Sequence, residues 1–431
     1  MTNETKHALV LGGGGSRGSY TIGAIATLLE QKKSYSLVTG ISIGAIVGGI
    51  YAMQKPFDFS KFIASFSSSD VADNLFRFPE RNAVLKTKPK NFGDYIAQFQ
   101  KDGPSVAPLH AMYEKIFDFE AFKNSDVDYM CLAADLSENK PAIFAKKDMK
   151  TKEQAIQCML ASAAYFPAFS YVSIDGKYYA DGGYLNSTLG AQADKLGYDD
   201  LTVIALIDPY DKLSYVESKT SLLIRPILKL SYFLDFDKDV MVRQIEQGRL
   251  EALKFMNLAP GYIYTFYPED AIIFKGLSKT AVSILERNHV TFTDDMLING
   301  ITELIGYRPG ELHNEYMKNY QIGLLLECLA LIAGITPYKR YHLMPFLKEL
   351  LEKLRSFEIE IKPSDANSPL IMDRYGACDL LAFFYNGFKA NDGKLPPEFD
   401  LVKKKFEALY YLAIAWYILD KFSLVINLFA L

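Results

Sequence analysis

The chain has two short apolar runs that end in small residues, and these decide the fold. The first reads HALVLGGGGSRG over residues 7–18, and the second reads LVTGISIG over residues 37–44. In each, a strand-like run meets a glycine-rich turn and an apolar helical pattern follows. Strand and helix patterns that alternate in this way predict a sheet flanked by helices. The sequence therefore predicts an α/β fold around a central, mostly parallel sheet.

The pattern continues through the first half of the chain. Further strands are expected at residues 129–134 and 201–207, and helices near residues 19–31, 42–53 and 153–164. Asp175-Gly176 is a typical turn dipeptide and predicts a hairpin of residues 171–174 and 177–180. Residues 57–122 mix aromatic side chains with lysines, which indicates an irregular cap with a solvated basic edge. A lid or lipid-contacting surface is the alternative.

Beyond residue 218 the apolar spacing becomes helical. Helices are expected at residues 221–234, 240–255, 319–333, 343–354 and 406–419. We accordingly predict an α/β domain over residues 1–290, with its motifs in residues 6–210, and a mainly helical C-terminal region over residues 291–431. Residues 408–431 are almost wholly apolar, but Asp420 and Lys421 lie at their midpoint. Charges are costly there in a membrane span, so a buried helix or helix pair is favoured.

Composition excludes several classes of protein. The 431 residues carry a formal net charge of −4, which offers no general attraction to nucleic acid or anionic membranes. The cysteines (Cys131, Cys158, Cys328 and Cys378) are far apart and show no metal-ligand spacing, as expected of thiols in a reduced compartment. The polar N-terminus has no apolar signal segment. We expect a cytoplasmic protein with no metal site and no cofactor.

The glycine run at residues 12–15, followed by Ser16, Arg17 and Gly18, is typical of an anion site. Glycines let a ligand approach the backbone closely, and N–H groups beside a helix N-terminus attract negative charge. The anion could be a phosphate or a transient oxyanion. The spacing of Gly13, Gly15 and Gly18 also fits a dinucleotide fingerprint, but the second strand has no carboxylate for a ribose. A P-loop is excluded because no Gly-Lys-Ser/Thr follows.

The sequence Gly40-Ile41-Ser42-Ile43-Gly44 lies where the second predicted strand meets a helix. A serine between glycines at such a corner is typical of a nucleophile elbow, in which a sharp turn exposes the hydroxyl. The alternative is that Ser42 simply caps the helix N-terminus. Together, elbow and glycine loop would supply the nucleophile and the oxyanion donors of acyl transfer.

A nucleophilic serine needs a base. Five histidines are present, at positions 7, 110, 289, 313 and 342, and none lies in a context that suggests catalysis. A carboxylate is the other candidate. Asp181 ends a short predicted strand and precedes Gly182 and Gly183, which give the chain room to turn away. The competing interpretation is an ordinary Asp-Gly turn.

These motifs together resemble those of the patatin-like phospholipases. The resemblance lies in GGGSRG at residues 13–18, GISIG at residues 40–44 and DGG at residues 181–183, and it covers roughly residues 6–210. It implies a three-layer fold and a Ser–Asp dyad with Ser42 as nucleophile and Asp181 as base. It also implies an oxyanion hole formed by backbone N–H groups of Gly13, Gly14 and Gly15, with Arg17 beside it and Gly18 closing the loop.

Two features depart from that resemblance. The family often has a proline soon after its DGG asparagine, whereas this chain reads Asn186-Ser187-Thr188-Leu189-Gly190, which suggests a different loop shape. The region past residue 290 has no counterpart in the family core. It could be a packing extension, a module that binds a protein partner, or a lipid-contacting platform.

The expected activity is hydrolysis of phospholipid or other lipid esters through an acyl-enzyme on Ser42, with peripheral membrane contact implied by the substrate. The alternative from a different class is a catalytically inactive family member that binds lipid or protein. Nucleotide binding at the glycine loop is a third, weaker hypothesis. Nucleic acid is not an expected partner.

Overall fold

The computed structural model describes residues 6–56, 107–166, 168–207, 220–287, 316, 321–357 and 375–429. The chain divides into two compact units. The first comprises Met1–Pro226 and Leu230–Ala252, and the second comprises Ile227–Lys229 and Leu253–Leu431. Residues 253–287 thus group with the second unit. The boundary at residue 290 stays a prediction, because residues 288–315 lie outside the described part of the chain.

A mixed sheet forms the centre of the first unit. Its strands are β1 His7–Leu11, β2 Leu37–Ile41, β3 Asp128–Asp135, β4 Lys140–Ala145, β5 Val172–Ile174, β6 Lys177–Asp181, β7 Asp200–Ile204 and β8 Thr220–Ile224. The order is β5-β6-β3-β2-β1-β7-β8, and β4 also pairs with β3. Strands β3, β2, β1, β7 and β8 are parallel, whereas β4 and the β5–β6 hairpin pair antiparallel. The predicted mostly parallel sheet is confirmed.

Helices cover both faces of this sheet. The helices of the first unit are α1 Gly18–Glu30, α2 Ile43–Ala52, α3 Ala107–Ile116, α4 Phe119–Asn124, α5 Lys152–Ser162, α6 Gly190–Lys195 and, as far as Ala252, α7 Lys238–Phe255. One face carries Ala8 and Val10, which pack with Ala193 of α6. The opposite face carries Leu11 and Val38, against which Gly48 of α2 lies. Strands buried on both faces read as continuous apolar runs, and the three-layer α/β prediction is confirmed.

Two strands of the central sheet were not anticipated from the sequence. Residues 221–234 were expected to be helical, and this was wrong, because Thr220–Ile224 forms β8 beside β7 and residues 225–237 contain neither helix nor strand. An apolar run this short does not distinguish a strand from a helix, and Pro226 ends it. β4 was also missed. Of the cap expected over residues 57–122, residues 57–106 lie outside the described part.

The hairpin prediction is confirmed. Val172–Ile174 pairs antiparallel with Lys177–Asp181, and the turn consists of Asp175 at φ 49° and Gly176 at φ 77°. Two consecutive residues with positive φ form the tight turn that matches the twist of a hairpin. The turn therefore fixes the register in which β6 carries Asp181.

The second unit is mainly helical. Its helices are α8 Ala271–Arg287, α9 Gln321–Ile332, α10 Leu343–Arg355, α11 Ala377–Ala390, α12 Asp400–Lys405, α13 Glu407–Lys421 and α14 Ser423–Phe429, and β9 Thr265–Phe266 pairs parallel with β10 Arg340–Tyr341. An aromatic and leucine core holds it together, in which Phe266 packs on Phe346 and Tyr385 stacks on Trp416.

The apolar C-terminus forms a buried helix followed by a shorter one. In α13, residues 409–419 are buried throughout. The charge at Asp420 is compensated, because its carboxylate accepts hydrogen bonds from Arg355 (2.6 Å) and Tyr385 (3.0 Å). Within the described residues, none of the helices combines the length and apolar character that a membrane crossing needs.

Candidate active site

The sheet topology brings the serine and the aspartate together. β2 pairs with β3 as far as Ile41–Leu132, and the antiparallel β6 pairs with β3 from Ala133–Asp181 onward. β4 occupies the other edge of β3 through residues 130–135. Both β2 and β6 must therefore lie along the same edge of β3, and their C-terminal ends meet there. Ser42 follows the end of one strand and Asp181 ends the other.

Ser42 has the backbone geometry of a nucleophile elbow. Its φ is 56° and its ψ is −126°, and its side chain makes no capping hydrogen bond to α2. A non-glycine residue in this region is strained and is held there only by its surroundings. The helix-cap interpretation is therefore wrong for the side chain, although the Ser42 carbonyl accepts from Ala45 N–H at 2.9 Å.

Close packing explains the glycines on either side of the serine. A Cβ at Gly40 would lie 2.2 Å from the carbonyl oxygen of Gly44. A Cβ at Gly44 would lie 2.6 Å from the carbonyl oxygen of Leu11. Any side chain at either position would push the turn open, so the turn at Ser42 requires glycine on both sides.

Asp181 is a buried carboxylate next to the serine. Its side chain is 2% exposed, and Oδ1 accepts a hydrogen bond from Gly183 N–H at 2.6 Å. Burial raises the pKa of Asp181 from 3.8 to about 6, while hydrogen bonds from the Ser42 hydroxyl and Gly183 N–H oppose part of that shift. The ionised form persists at neutral pH but is a far better base than an exposed aspartate.

The two glycines after Asp181 have distinct roles. A Cβ at Gly182 would lie 2.2 Å from the carbonyl oxygen of Leu132, so only glycine fits against β3 at this point. A Cβ at Gly183 would lie 3.0 Å from Oδ1 of Asp181. Gly182 therefore allows the turn, and Gly183 supplies the N–H group that orients the carboxylate.

The glycine loop lies beside the serine. β1 and β2 are parallel neighbours, so the loop after β1 and the elbow after β2 emerge at the same edge. A Cβ at Gly13 would lie 3.1 Å from Cβ of Ser42. Within the described residues, the N–H groups of Gly13, Gly14 and Gly15 donate to no protein acceptor, whereas Gly12 N–H donates to Ile204 O at 2.9 Å. Three N–H groups of the loop beside Ser42 are thus available to an anion.

The rest of this loop is fixed by contacts with Leu206 and residues 231–233. Gly15 has φ 56°, and a Cβ there would lie 2.1 Å from Phe233 O. Arg17 donates from Nε to Ser231 O at 2.8 Å and from an Nη to Leu206 O at 3.3 Å. Gly18 allows α1 to approach Ile43 closely. Arg17 therefore anchors the loop through backbone carbonyls, and a direct part for it in an oxyanion site stays a prediction.

A cavity of about 390 Å³ opens at this point, where the strand order reverses between β1 and β7. Ser42, Asp181 and the glycine loop line it on one side. Its remaining walls are mostly apolar and include Ile22, Ile46, Val47, Ile50, Leu109, Met112, Ile116, Phe169, Leu206, Phe233, Leu234, Phe236 and Met241. A concave apolar site with a few polar groups at one end is the usual form of a small-ligand pocket in a doubly wound sheet.

One buried residue of the site was not found from the sequence. Ser162, at the end of α5, accepts a hydrogen bond from Ser42 N–H at 3.0 Å and donates one to Leu132 O at 2.6 Å. It lies in the run Ala161-Ser162-Ala163-Ala164, shortly before the hairpin that carries Asp181. Nothing in that run shows which of its small residues touches the elbow.

The histidines of the described residues lie in other contacts, away from Ser42 and Asp181. His7 pairs with Asp200 and His110 with Glu153, while His342 belongs to the second unit and stacks on Tyr267. His289 and His313 lie outside the described residues. In the ranges that the structure covers, no three histidine, cysteine or carboxylate side chains are grouped as metal ligands.

Comparison with known proteins agrees with this geometry. A model of the patatin-like phospholipases matches residues 9–193. A patatin-like phospholipase domain-containing protein of Caenorhabditis elegans is 26% identical over 179 residues, which are 42% of this chain and 12% of the relative. A lysophospholipase of Candida albicans is 24% identical over 187 residues, or 43% of this chain and 12% of the relative.

Two further matches cover a larger share of the matched protein. An uncharacterized NTE family protein of Mycobacterium tuberculosis is 27% identical over 185 residues, or 43% of this chain and 44% of the relative. The crystal structure of VipD from Legionella pneumophila aligns with 96% of this chain and 92% of its own at 13% identity, with a TM-score of 0.36, which is too low to carry an argument. The matched region spans 12% to 44% of the length of these relatives.

The family match includes the glycine loop, the elbow serine and the DGG aspartate, all of which line one cavity. Residues 9–193 of this chain thus match the patatin-like phospholipases, a family of lipid hydrolases.

Proposed function

We propose that this protein hydrolyses carboxylic esters of lipids, as a phospholipase A, lysophospholipase or related esterase, with Ser42 as nucleophile and Asp181 as base. The observation that carries the proposal is the position of a strained serine beside a buried carboxylate whose pKa is raised to about 6. A relative described as a lysophospholipase supports the same substrate class.

The reaction proceeds in two halves. The hydroxyl of Ser42 attacks the ester carbonyl and gives its proton to Asp181, and N–H groups of Gly13, Gly14 and Gly15 stabilise the oxyanion. When the intermediate collapses, Asp181 returns that proton to the leaving alcohol and an acyl-enzyme remains. Water then attacks the acyl group and gives a proton to Asp181. When this second intermediate collapses, Asp181 returns the proton to Ser42 Oγ and the fatty acid leaves.

Fluorophosphonate labelling tests the nucleophile directly. We expect stoichiometric modification at Ser42, located by peptide mapping, and loss of labelling and ester hydrolysis in Ser42→Ala and Asp181→Asn. Ser36→Ala is the matched control, because Ser36 is an exposed serine just before β2 and should leave labelling intact. Full activity in Asp181→Asn would refute the dyad. A folded protein that binds lipid vesicles but neither reacts nor hydrolyses esters would favour the inactive binding module.

Peripheral membrane contact is a second part of the proposal. Phe166, Tyr184, Leu185 and Tyr232 are exposed by 44%, 51%, 41% and 37%. Tyr184 and Tyr232 lie in one aromatic cluster, because Tyr165 stacks on Tyr184 and contacts Phe233, which in turn contacts Tyr232. Phe166 and Leu185 follow Tyr165 and Tyr184 directly in the chain. Tyr165 and Phe233 also line the cavity. Aromatic and apolar side chains around the entrance suit the boundary between lipid headgroups and acyl chains.

Vesicle binding tests this patch. We expect Phe166→Ser combined with Leu185→Ser to weaken binding to phosphatidylcholine vesicles by about tenfold or more, since each side chain contributes roughly 2 kcal/mol of apolar burial. Hydrolysis of a water-soluble ester should be unaffected. Leu29→Ser, which removes an exposed leucine (49%) on α1, is the control. Equal vesicle binding by the double variant and the control would contradict the patch.

The cytoplasmic location and the role of the second unit stay predictions. A protein partner for the helical C-terminal region would be expected to change the rate of hydrolysis when added to the purified chain. Calcium or zinc chelation should leave the rate unchanged, because the proposed reaction uses no metal.

A further inference from the structure

We propose that Ser162 is a positioning residue that holds Ser42 in its reactive conformation. The inference rests on the proposed function, since it concerns how the Ser42–Asp181 pair is kept in place. Ser162 is fully buried, and its hydroxyl is hydrogen-bonded on both sides. It would not touch the substrate.

The contacts of Ser162 join the elbow to the strand below it. Oγ accepts from Ser42 N–H at 3.0 Å and donates to Leu132 O at 2.6 Å. Leu132 is the β3 residue that pairs with Ile41, directly before the serine. The same carbonyl oxygen packs against Gly182, directly after the aspartate. One hydroxyl therefore ties the elbow amide to the point of the sheet where both strand ends meet.

The end of α5 holds the aspartate as well. Two residues after Ser162, the carbonyl of Ala164 accepts a hydrogen bond from Asp181 N–H at 3.0 Å. The backbone amides of both proposed catalytic residues are thus bound by one short segment. A change in the path of this segment would alter the distance between Ser42 Oγ and the Asp181 carboxylate.

The strain at Ser42 makes this support necessary. A serine at φ 56° relaxes toward an ordinary conformation unless neighbouring groups prevent it. The elbow amide is fixed by Ser162, so it is engaged and is not an oxyanion donor. The oxyanion donors proposed in the glycine loop can act on the ester only if Oγ stays where the held elbow places it.

Substitution of Ser162 tests the inference. With p-nitrophenyl butyrate as substrate, we expect Ser162→Ala to lower kcat and the rate of fluorophosphonate inactivation by about 100-fold, the loss typical of a 1 Å misplacement, with KM little changed. Ser162→Cys retains a weaker donor and acceptor, so its kcat and inactivation rate should fall between those of the wild type and Ser162→Ala. It also provides a second variant should Ser162→Ala not fold. Ser125→Ala is the control, since it removes a 2.6 Å hydrogen bond from a hydroxyl to Ala52 O at the far end of α2.

The outcomes separate positioning from simple stability. Inactivation is measured per folded molecule, by intact-mass analysis of protein recovered from gel filtration. A loss in Ser162→Ala that Ser125→Ala does not share supports the inference. Wild-type rates in Ser162→Ala, or an equal loss in the control, overturn it. If the wild-type protein itself does not react with the fluorophosphonate, the proposed function fails, which is a different result from a reactive wild type with an equally reactive Ser162→Ala.

Discussion

The buried carboxylate of Asp181 should make the protein less stable as the pH rises, and Asp181→Asn should remove that effect. In the folded state the pKa is raised from 3.8 to about 6, chiefly by burial. A difference of about two pKa units corresponds to about 3 kcal/mol. Below the unfolded pKa the carboxyl is protonated in both states and costs nothing. The cost appears as the pH rises toward the folded pKa and is complete above it.

The amide at position 181 cannot ionise, so the variant keeps its stability where the wild type loses it. We expect the difference in unfolding free energy, variant minus wild type, to be about 2 kcal/mol larger near pH 8 than near pH 4.5. Comparing the two pH values matters because a weakened contact with Ser42 would change the unfolding free energy by the same amount at both. That change cancels in the comparison. The variant should be stabilised at alkaline pH and inactive throughout.

Urea unfolding at both pH values, followed by circular dichroism, measures this difference. Asp175→Asn is the control: it makes the same chemical change in the exposed turn of the same hairpin, where asparagine also tolerates the positive φ. It should show no such pH dependence. If Asp181→Asn changes the unfolding free energy equally at both pH values, burial does not raise the pKa of Asp181. The carboxylate would then be a weaker base than proposed.

Three other predictions concern the pH profile, the glycine loop and the second unit. The rate of ester hydrolysis should rise with pH and reach half its plateau near pH 6, because Asp181 must be ionised to accept the Ser42 proton; a midpoint near pH 4 in a pH–rate profile would contradict this. Gly13→Ala should reduce kcat by about 10- to 100-fold, since its Cβ would lie 3.1 Å from Cβ of Ser42. Gly276→Ala, where the new Cβ meets nothing within 4 Å, is its control in the same assay. Glu327→Ala should lower the unfolding free energy by about 3 kcal/mol or more, because the buried carboxylate accepts N–H groups from residues 262, 263 and 264 that would lose their partner; an unchanged urea midpoint would refute it.

The alignment of Ser42 with Asp181 could be anticipated only in part. The resemblance to a family supplied the pairing of these two residues, while the hairpin turn at Asp175-Gly176 and the strand before Ser42 could be predicted from local sequence. The reason they meet is tertiary. β2 and β6 approach each other along one edge of β3, and strand pairing between distant segments has no local sequence signal.

Prediction failed where a short apolar run could adopt either regular structure. Residues 221–224 were expected to begin a helix but belong to the edge strand β8, since pairing with β7 decides the outcome. The helices at 238–255 and 343–355 are longer and amphipathic, and they were predicted almost to the residue. In each, many apolar residues recur at helical spacing on one face.

The sequence by itself determined the local geometry of the site. Gly15, Gly40, Gly44 and Gly182 occur where any Cβ would collide with backbone, so these tight turns require glycine. Tertiary structure alone decided the environment of the functional groups. The raised pKa of Asp181 comes from burial, and the hold of Ser162 on the elbow comes from packing α5 against β3. Both depend on what surrounds a residue in space, which the order of residues along the chain does not state.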